Sequence, residues 1–230
     1  MSFTAGFFRF AAACALLSAI TTLGVHLIPG AEKAVTFEQR IALHADPVYI
    51  ARLGNVLVHI LLVIASMWGV AAAKRKTAAG FMGLGFLGYL LFALAEIFRT
   101  SLGLFMVNRG WRARFAGADE ATQNELRTLL SAWPGINDAL FFLLVLGFFI
   151  GNLFYGSVLV RGAGFERTLG TILLFWAALG FYGMANGFLG AAWLPDVPDF
   201  VAWTFQPAVR VLIAIWLWGV AASVTRESQT

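Results

Sequence analysis

The sequence predicts an all-α polytopic membrane protein, a single domain over residues 1–230 built as a bundle of six transmembrane helices. Three observations predict it. Hydrophobic residues make up 60% of the chain and charged residues 12%, where soluble domains carry about one half and about one quarter. The mean hydropathy is +0.81. Six apolar stretches are each long enough to cross a hydrocarbon core of about 30 Å at about 1.5 Å per residue, with no alternating barrel-strand pattern. Lipid satisfies no backbone hydrogen bond, so these stretches must be helices.

The first stretch, Phe7 to Ile28, exceeds the apolar run of a signal peptide, and no small-residue cleavage site follows at Ile28-Pro29-Gly30, so it reads as a retained span. Cys14, the only cysteine, lies inside it, which leaves no intramolecular disulfide and no cysteine metal site. The second and third stretches, Leu53 to Ala73 and Ala78 to about Val107, flank the basic turn Lys74-Arg75-Lys76. Ile136 to Val160, Leu169 to about Trp193 and Phe200 to Ala222 complete the six, and the turn between the last two holds Asp196 and Asp199 without a base. Basic residues of short loops stay in the cytoplasm. With Arg9, Arg161, Arg167 and Arg226 in agreement, both termini are expected inside, in a multi-pass cell-membrane protein. The pI near 9.6 follows from these retention charges and calls for no nucleic-acid partner.

Two long outer loops remain, Pro29 to Arg52 and Asn108 to Gly135. The second contains "ADEATQNELRTLLSAWPG", which predicts a short surface helix: Asp119 as N-cap, Leu126, Leu129, Leu130 and Trp133 at i, i+3, i+4 and i+7, and Pro134-Gly135 as its stop. Its apolar stripe is expected at the headgroup level, with a lid over a cavity as the alternative.

Polar residues follow helical stripes inside the spans. Arg52, Asn55, His59 and Ser66 share a face of the second; Glu96 and Arg99 share one in the third; Asp138 and Asn152 lie two heptads apart in the fourth. Asn186 in the fifth and Gln206 and Arg210 around Pro207 in the sixth add to them. Hydroxyls, Asn152 and Asn55 read as interhelical glue, helped by small residues such as Gly83, Gly85 and Gly88 or Gly183, Gly187 and Gly190. Charges read differently, because each costs at least about 2.5 kcal/mol near the bilayer centre and usually marks a site. At about 1.5 Å per residue, Arg210 falls near the midplane and Glu96, Arg99, Asn186 and Asp138 in the outer third. A Glu96–Arg210 bridge is expected to join spans three and six, leaving Arg99 for an external anion.

The chain resembles the bacterial six-span membrane proteins grouped as domain of unknown function 4386. The resemblance rests on "YIARLGNVLVHILL" (Tyr49 to Leu62), the basic turn, "EIFRTSLGLFMVN" (Glu96 to Asn108) and "GNLFYGSVLVRGAGFERTLGTILL" (Gly151 to Leu174). It implies the fold and a membrane location, and no chemistry.

The function expected from these residues is an outward-facing polar pocket for a small anionic or amphiphilic ligand, in a binder, sensor or transporter. Its lining would be Arg52, Asn55, His59, Glu96, Arg99, Asp138, Asn186, Gln206 and Arg210, with membrane lipids as the other partners. One alternative is an intramembrane enzyme using Glu96 or Asp138 with His59; another is a structural subunit with internally paired charges. No HExxH, GxSxG or histidine cluster is present, so no metal is expected. A haem between His26 and His59 is disfavoured, and no cofactor is expected.

Overall fold

The computed structural model describes residues 3–191, 195 and 199–227, and every regular element in them is helical. Asp196, expected in the last turn, lies outside the described residues. The first helix, α1 (Ala5–Leu27), begins at Thr4, whose hydroxyl accepts from the Phe7 N–H. A short α2 (Phe37–Ala42) opens on a reciprocal capping box between Thr36 and Gln39. Asp46 caps α3 (Pro47–Ser101) by accepting from the Val48 and Tyr49 N–H groups, with Pro47 at the first helical position, where its missing donor costs nothing.

Helix α3 is two limbs. Its 55 residues would span about 80 Å if straight, but the backbone leaves helical geometry at Ala78, just after the basic turn. The limbs then run side by side: the rings of Trp68 and Phe86, eighteen positions apart, sit 5.3 Å from each other. Five helical stretches among the described residues are long and apolar enough to cross a membrane, and one of them is this folded-back helix. The bundle therefore has five to six long apolar helices, depending on whether α3 is taken as one or two.

Beyond α3 the chain continues as a π-helical segment (Leu102–Arg112), the single turn α4 (Ala113–Phe115), then α5 (Glu120–Leu159), α6 (Phe165–Phe188) and α7 (Asp199–Glu227). Asp119 is the N-cap of α5, as expected: the Thr122 N–H donates to its carboxylate at 2.8 Å and holds its carboxyl below the ordinary aspartate range. Pro134 is no stop, however. Helix α5 runs through it without a break, so the surface helix is the first part of a 40-residue helix and not a separate element. A proline removes one hydrogen bond and can be carried within a membrane helix when its surroundings make up for the loss; α7 likewise contains Pro207.

Close backbone packing holds the bundle together. The second limb of α3 lies against α5 so tightly that a Cβ on Gly147 would meet the Phe92 nitrogen and the Gly88 oxygen at 2.5 and 2.7 Å, and one on Gly88 would meet the Gly151 nitrogen at 2.6 Å. The same device joins α5 to α6 through Gly156 and Gly170. Of the glycines expected at interfaces, Gly85 and Gly88 serve there, whereas Gly83, Gly183, Gly187 and Gly190 meet nothing within 4 Å among the described residues. Asn152 acts as interhelical glue: it accepts from the Tyr89 hydroxyl at 2.8 Å, while Tyr155 donates to the Met67 carbonyl at 3.0 Å. Helix α1 packs against both α3 and α7, and a Cβ on Gly69 of α3 would meet the Ala11 side chain of α1 and, at 3.4 Å, Leu217 of α7.

Candidate functional site

A cavity of about 1030 Å³ opens at the end of the bundle that carries the two long loops. Its walls are helix faces. Tyr49, Arg52, Leu53 and Val56 line it from the first limb of α3 at i, i+3, i+4 and i+7; Arg99, Thr100 and Gly103 line it from the second limb and the π segment. Leu130, Trp133, Pro134, Asn137 and Asp138 form one face of α5, so the continuous passage through Pro134 makes a wall of what sequence reasoning assigned to a detached surface helix. Above these, Ile41 of α2, Phe115 of α4 and Leu126 of α5 make a small buried cluster. Phe37 and Phe115 stack edge to face at 5.2 Å, and the Arg127 guanidinium lies over both rings. Of the expected stripe, Leu126 is 3% exposed and Leu130 and Trp133 line the cavity, whereas Leu129 is 43% exposed.

Five arginines reach the lining: Arg40, Arg52, Arg99, Arg112 and Arg127, against the carboxylates of Glu32 and Asp138. Arg52 donates to both oxygens of Glu32 at 2.9 and 3.0 Å, which ties the first loop to α3. Arg99 forms a two-pronged pair with Glu96 behind it, at 2.6 and 2.9 Å, and reaches Asn137 on α5 at 3.3 Å. Thr100 also donates to Glu96. The expected Glu96–Arg210 bridge is thus replaced by Glu96–Arg99, because one helical turn separates the two side chains and the fork of a guanidinium matches a carboxylate.

Of the nine residues expected at the site, only Arg52, Arg99 and Asp138 line the cavity, with Glu96 directly behind. Asn55 donates to the Thr21 carbonyl at 2.9 Å and His59 shares a hydrogen bond with the Thr21 hydroxyl at 2.9 Å, so both fasten α3 to α1. Arg210 is 3% exposed and lies 5.4 Å above the Trp176 ring. Asn186 on α6 and Gln206 on α7 are half-buried and outside this lining. The enzymatic trio has no common partner: Glu96 is held by Arg99, His59 by Thr21, and Asp138 by Asn137. Among the described residues no group of three or more His, Cys, Asp or Glu side chains has the arrangement of a metal site.

Sequence reasoning missed Arg112 and Asn108. Both belong to the π segment, where the buried positions Gly103 and Leu104, Val107 and Asn108, and Arg112 recur every four to five residues, the wider turn of an i→i+5 helix. A period of 3.6 spreads these positions over half of the helix surface, where the wider turn gathers them into a narrower face.

No family model, curated protein or solved structure matches this chain. The resemblance to domain of unknown function 4386 therefore gains no support from these comparisons.

Proposed function

We propose that this is a six-span membrane protein whose loop-end cavity faces outward and binds a small anionic or amphiphilic molecule, as a binder, sensor or transporter. The observation that carries the reading is the set of five arginines around one cavity whose walls are otherwise largely apolar. Such a lining attracts an anion and shelters an attached hydrocarbon. The fold-back of α3 supports counting its limbs as two crossings. The orientation follows from charge: Lys74, Arg75, Lys76, Arg161 and Arg167 sit in short turns, which belong to the cytoplasm. Phe3 lies under the Arg75 guanidinium, so the N-terminal segment shares that end and the cavity belongs to the other.

The test has two arms. A reporter active only in the cytoplasm works when fused at Lys76 or after α7 and fails within the loops at Glu32 and Glu120; the opposite pattern overturns the outward orientation. Native mass spectrometry of protein gently extracted from membranes finds an acidic molecule retained by the wild type and lost when Arg52 and Arg112 are both changed to Gln. Retention of neutral lipid alone, unchanged in that variant, overturns the anion-binding reading.

A further inference from the structure

The five arginines of the cavity are not equivalent. Arg52 is engaged by Glu32 and Arg99 by Glu96 and Asn137. Arg40 is exposed and donates to the Ala34 carbonyl, and Arg127 is exposed and stacked on two rings. Arg112 stands apart: it is 6% exposed, has no carboxylate partner among the described residues, and its Nε has no hydrogen-bond acceptor. Its Nη1 donates to the Asn108 Oδ1 at 3.2 Å, which fixes the guanidinium, and the Asn108 Nδ2 is buried without an acceptor. Tyr49 lies beneath the guanidinium at 5.7 Å and lines the cavity with it. A desolvated guanidinium with an unused donor next to a cavity selects an acidic group, because charge-assisted hydrogen bonds are the strong ones where water is excluded.

We propose that Arg112, positioned by Asn108, seats the acidic head of a single-chain amphiphile whose tail lies along Tyr49, Leu53 and Val56 of α3 and Val25 of α1. This rests on the reading of the cavity as a binding site. The apolar stripe starts beside Arg112 at Tyr49 and descends about 10 Å into the bundle by Val56, at about 1.5 Å per residue. A carboxylate or a phosphate ester on a hydrocarbon chain matches both ends; a free small anion uses only one.

The probes are dodecanoate, dodecyl phosphate, dodecanol and acetate, titrated against the detergent-solubilised full chain. The wild type binds the two acidic amphiphiles about tenfold or more tighter than dodecanol, the ratio expected for one charge-assisted contact, and does not bind acetate at the same concentration. Arg112→Gln brings acid and alcohol to nearly equal affinity, whereas Arg161→Gln, an exposed arginine outside the cavity, keeps the preference. Leu53→Trp, which fills the tail wall and leaves the charge, weakens dodecanoate and dodecanol together. If Arg112→Gln fails to fold, Arg112→Lys keeps the charge without the planar fork and reduces the preference in part.

Retention of the full preference by the Arg112 variants overturns the assignment to Arg112 while the binding reading stands. Acetate binding as tightly as dodecanoate makes the cavity a free-anion site and overturns the tail. No acid preference in the wild type overturns both readings.

Discussion

Gly147→Leu prevents recovery of folded protein, and Gly147→Ala lowers stability in detergent by about 1–3 kcal/mol, the range for overfilling a packed contact. The reason is backbone, not side chain. A Cβ at Gly147 would stand 2.5 Å from the Phe92 nitrogen and 2.7 Å from the Gly88 oxygen, and neither atom can swing aside as a flexible side chain would. The limbs of α3 and α5 would have to separate, opening Tyr89–Asn152 and Tyr155–Met67, the hydrogen bonds that close this interface. Gly183 is the control: a Cβ there meets nothing within 4 Å among the described residues, so Gly183→Ala stays within about 0.5 kcal/mol of the wild type. Thermal unfolding followed by fluorescence or light scattering measures both. Equal effects at the two positions would mean that the glycine seam does not hold these helices together.

The second large effect is asymmetric. Glu96 is 5% exposed and faces Arg99, whose side chain retains 27% of its exposure at the cavity edge. Arg99→Gln therefore strands a buried carboxylate and costs about 3–5 kcal/mol, the usual consequence of removing one member of a buried pair. Glu96→Gln leaves Arg99 free to turn toward the cavity while keeping Asn137, so its cost is about 1 kcal/mol. Changing both residues to Gln recovers most of the larger loss, because the uncompensated charge is gone. A double-mutant cycle in detergent measures this coupling. Strictly additive losses, or equal single losses, would contradict the pairing and the difference in exposure behind it.

The bundle was legible in the sequence because hydrocarbon imposes one rule on every span: an apolar run of sufficient length must be a helix. That rule located the apolar part of each long helix among the described residues, and the charge bias of Lys74-Arg75-Lys76 marked the place where α3 folds back. It is silent about partners. Gly88 and Gly147 carry the seam while Gly183 and Gly187 meet nothing within 4 Å among the described residues, yet the local patterns look alike, because which glycine faces a neighbour depends on helix rotation. Pro134-Gly135 reads as a helix end by composition, but the chain continues, since one missing hydrogen bond is a smaller loss than breaking a helix that is packed on both sides of it.

The cavity lining was legible only in part. Arg52, Arg99 and Asp138 were found because charges at the ends of apolar spans stand out, and these three do line the cavity. Asn55, His59 and Arg210 stood out for the same reason, and they join helices or lie against an aromatic ring. Burial alone does not separate a ligand-facing charge from a satisfied one. Arg112 was hidden for another reason: the π segment shifts the inward face by about one residue per turn relative to an α-helix, and the sequence after Val107 reads as loop.

The proposed acidic amphiphile lies in the loop-end cavity with its tail between α1 and the first limb of α3. The most direct measurement is photolabelling with dodecanoate bearing a diazirine near the end of its chain, followed by peptide mapping. The predicted result is labelling concentrated at Val25, Leu53 and Val56, and suppressed by excess dodecanoate but not by dodecanol at the same concentration. Labelling spread over the exposed surface residues Phe81, Leu84 and Leu87, undiminished by competitor, would contradict it.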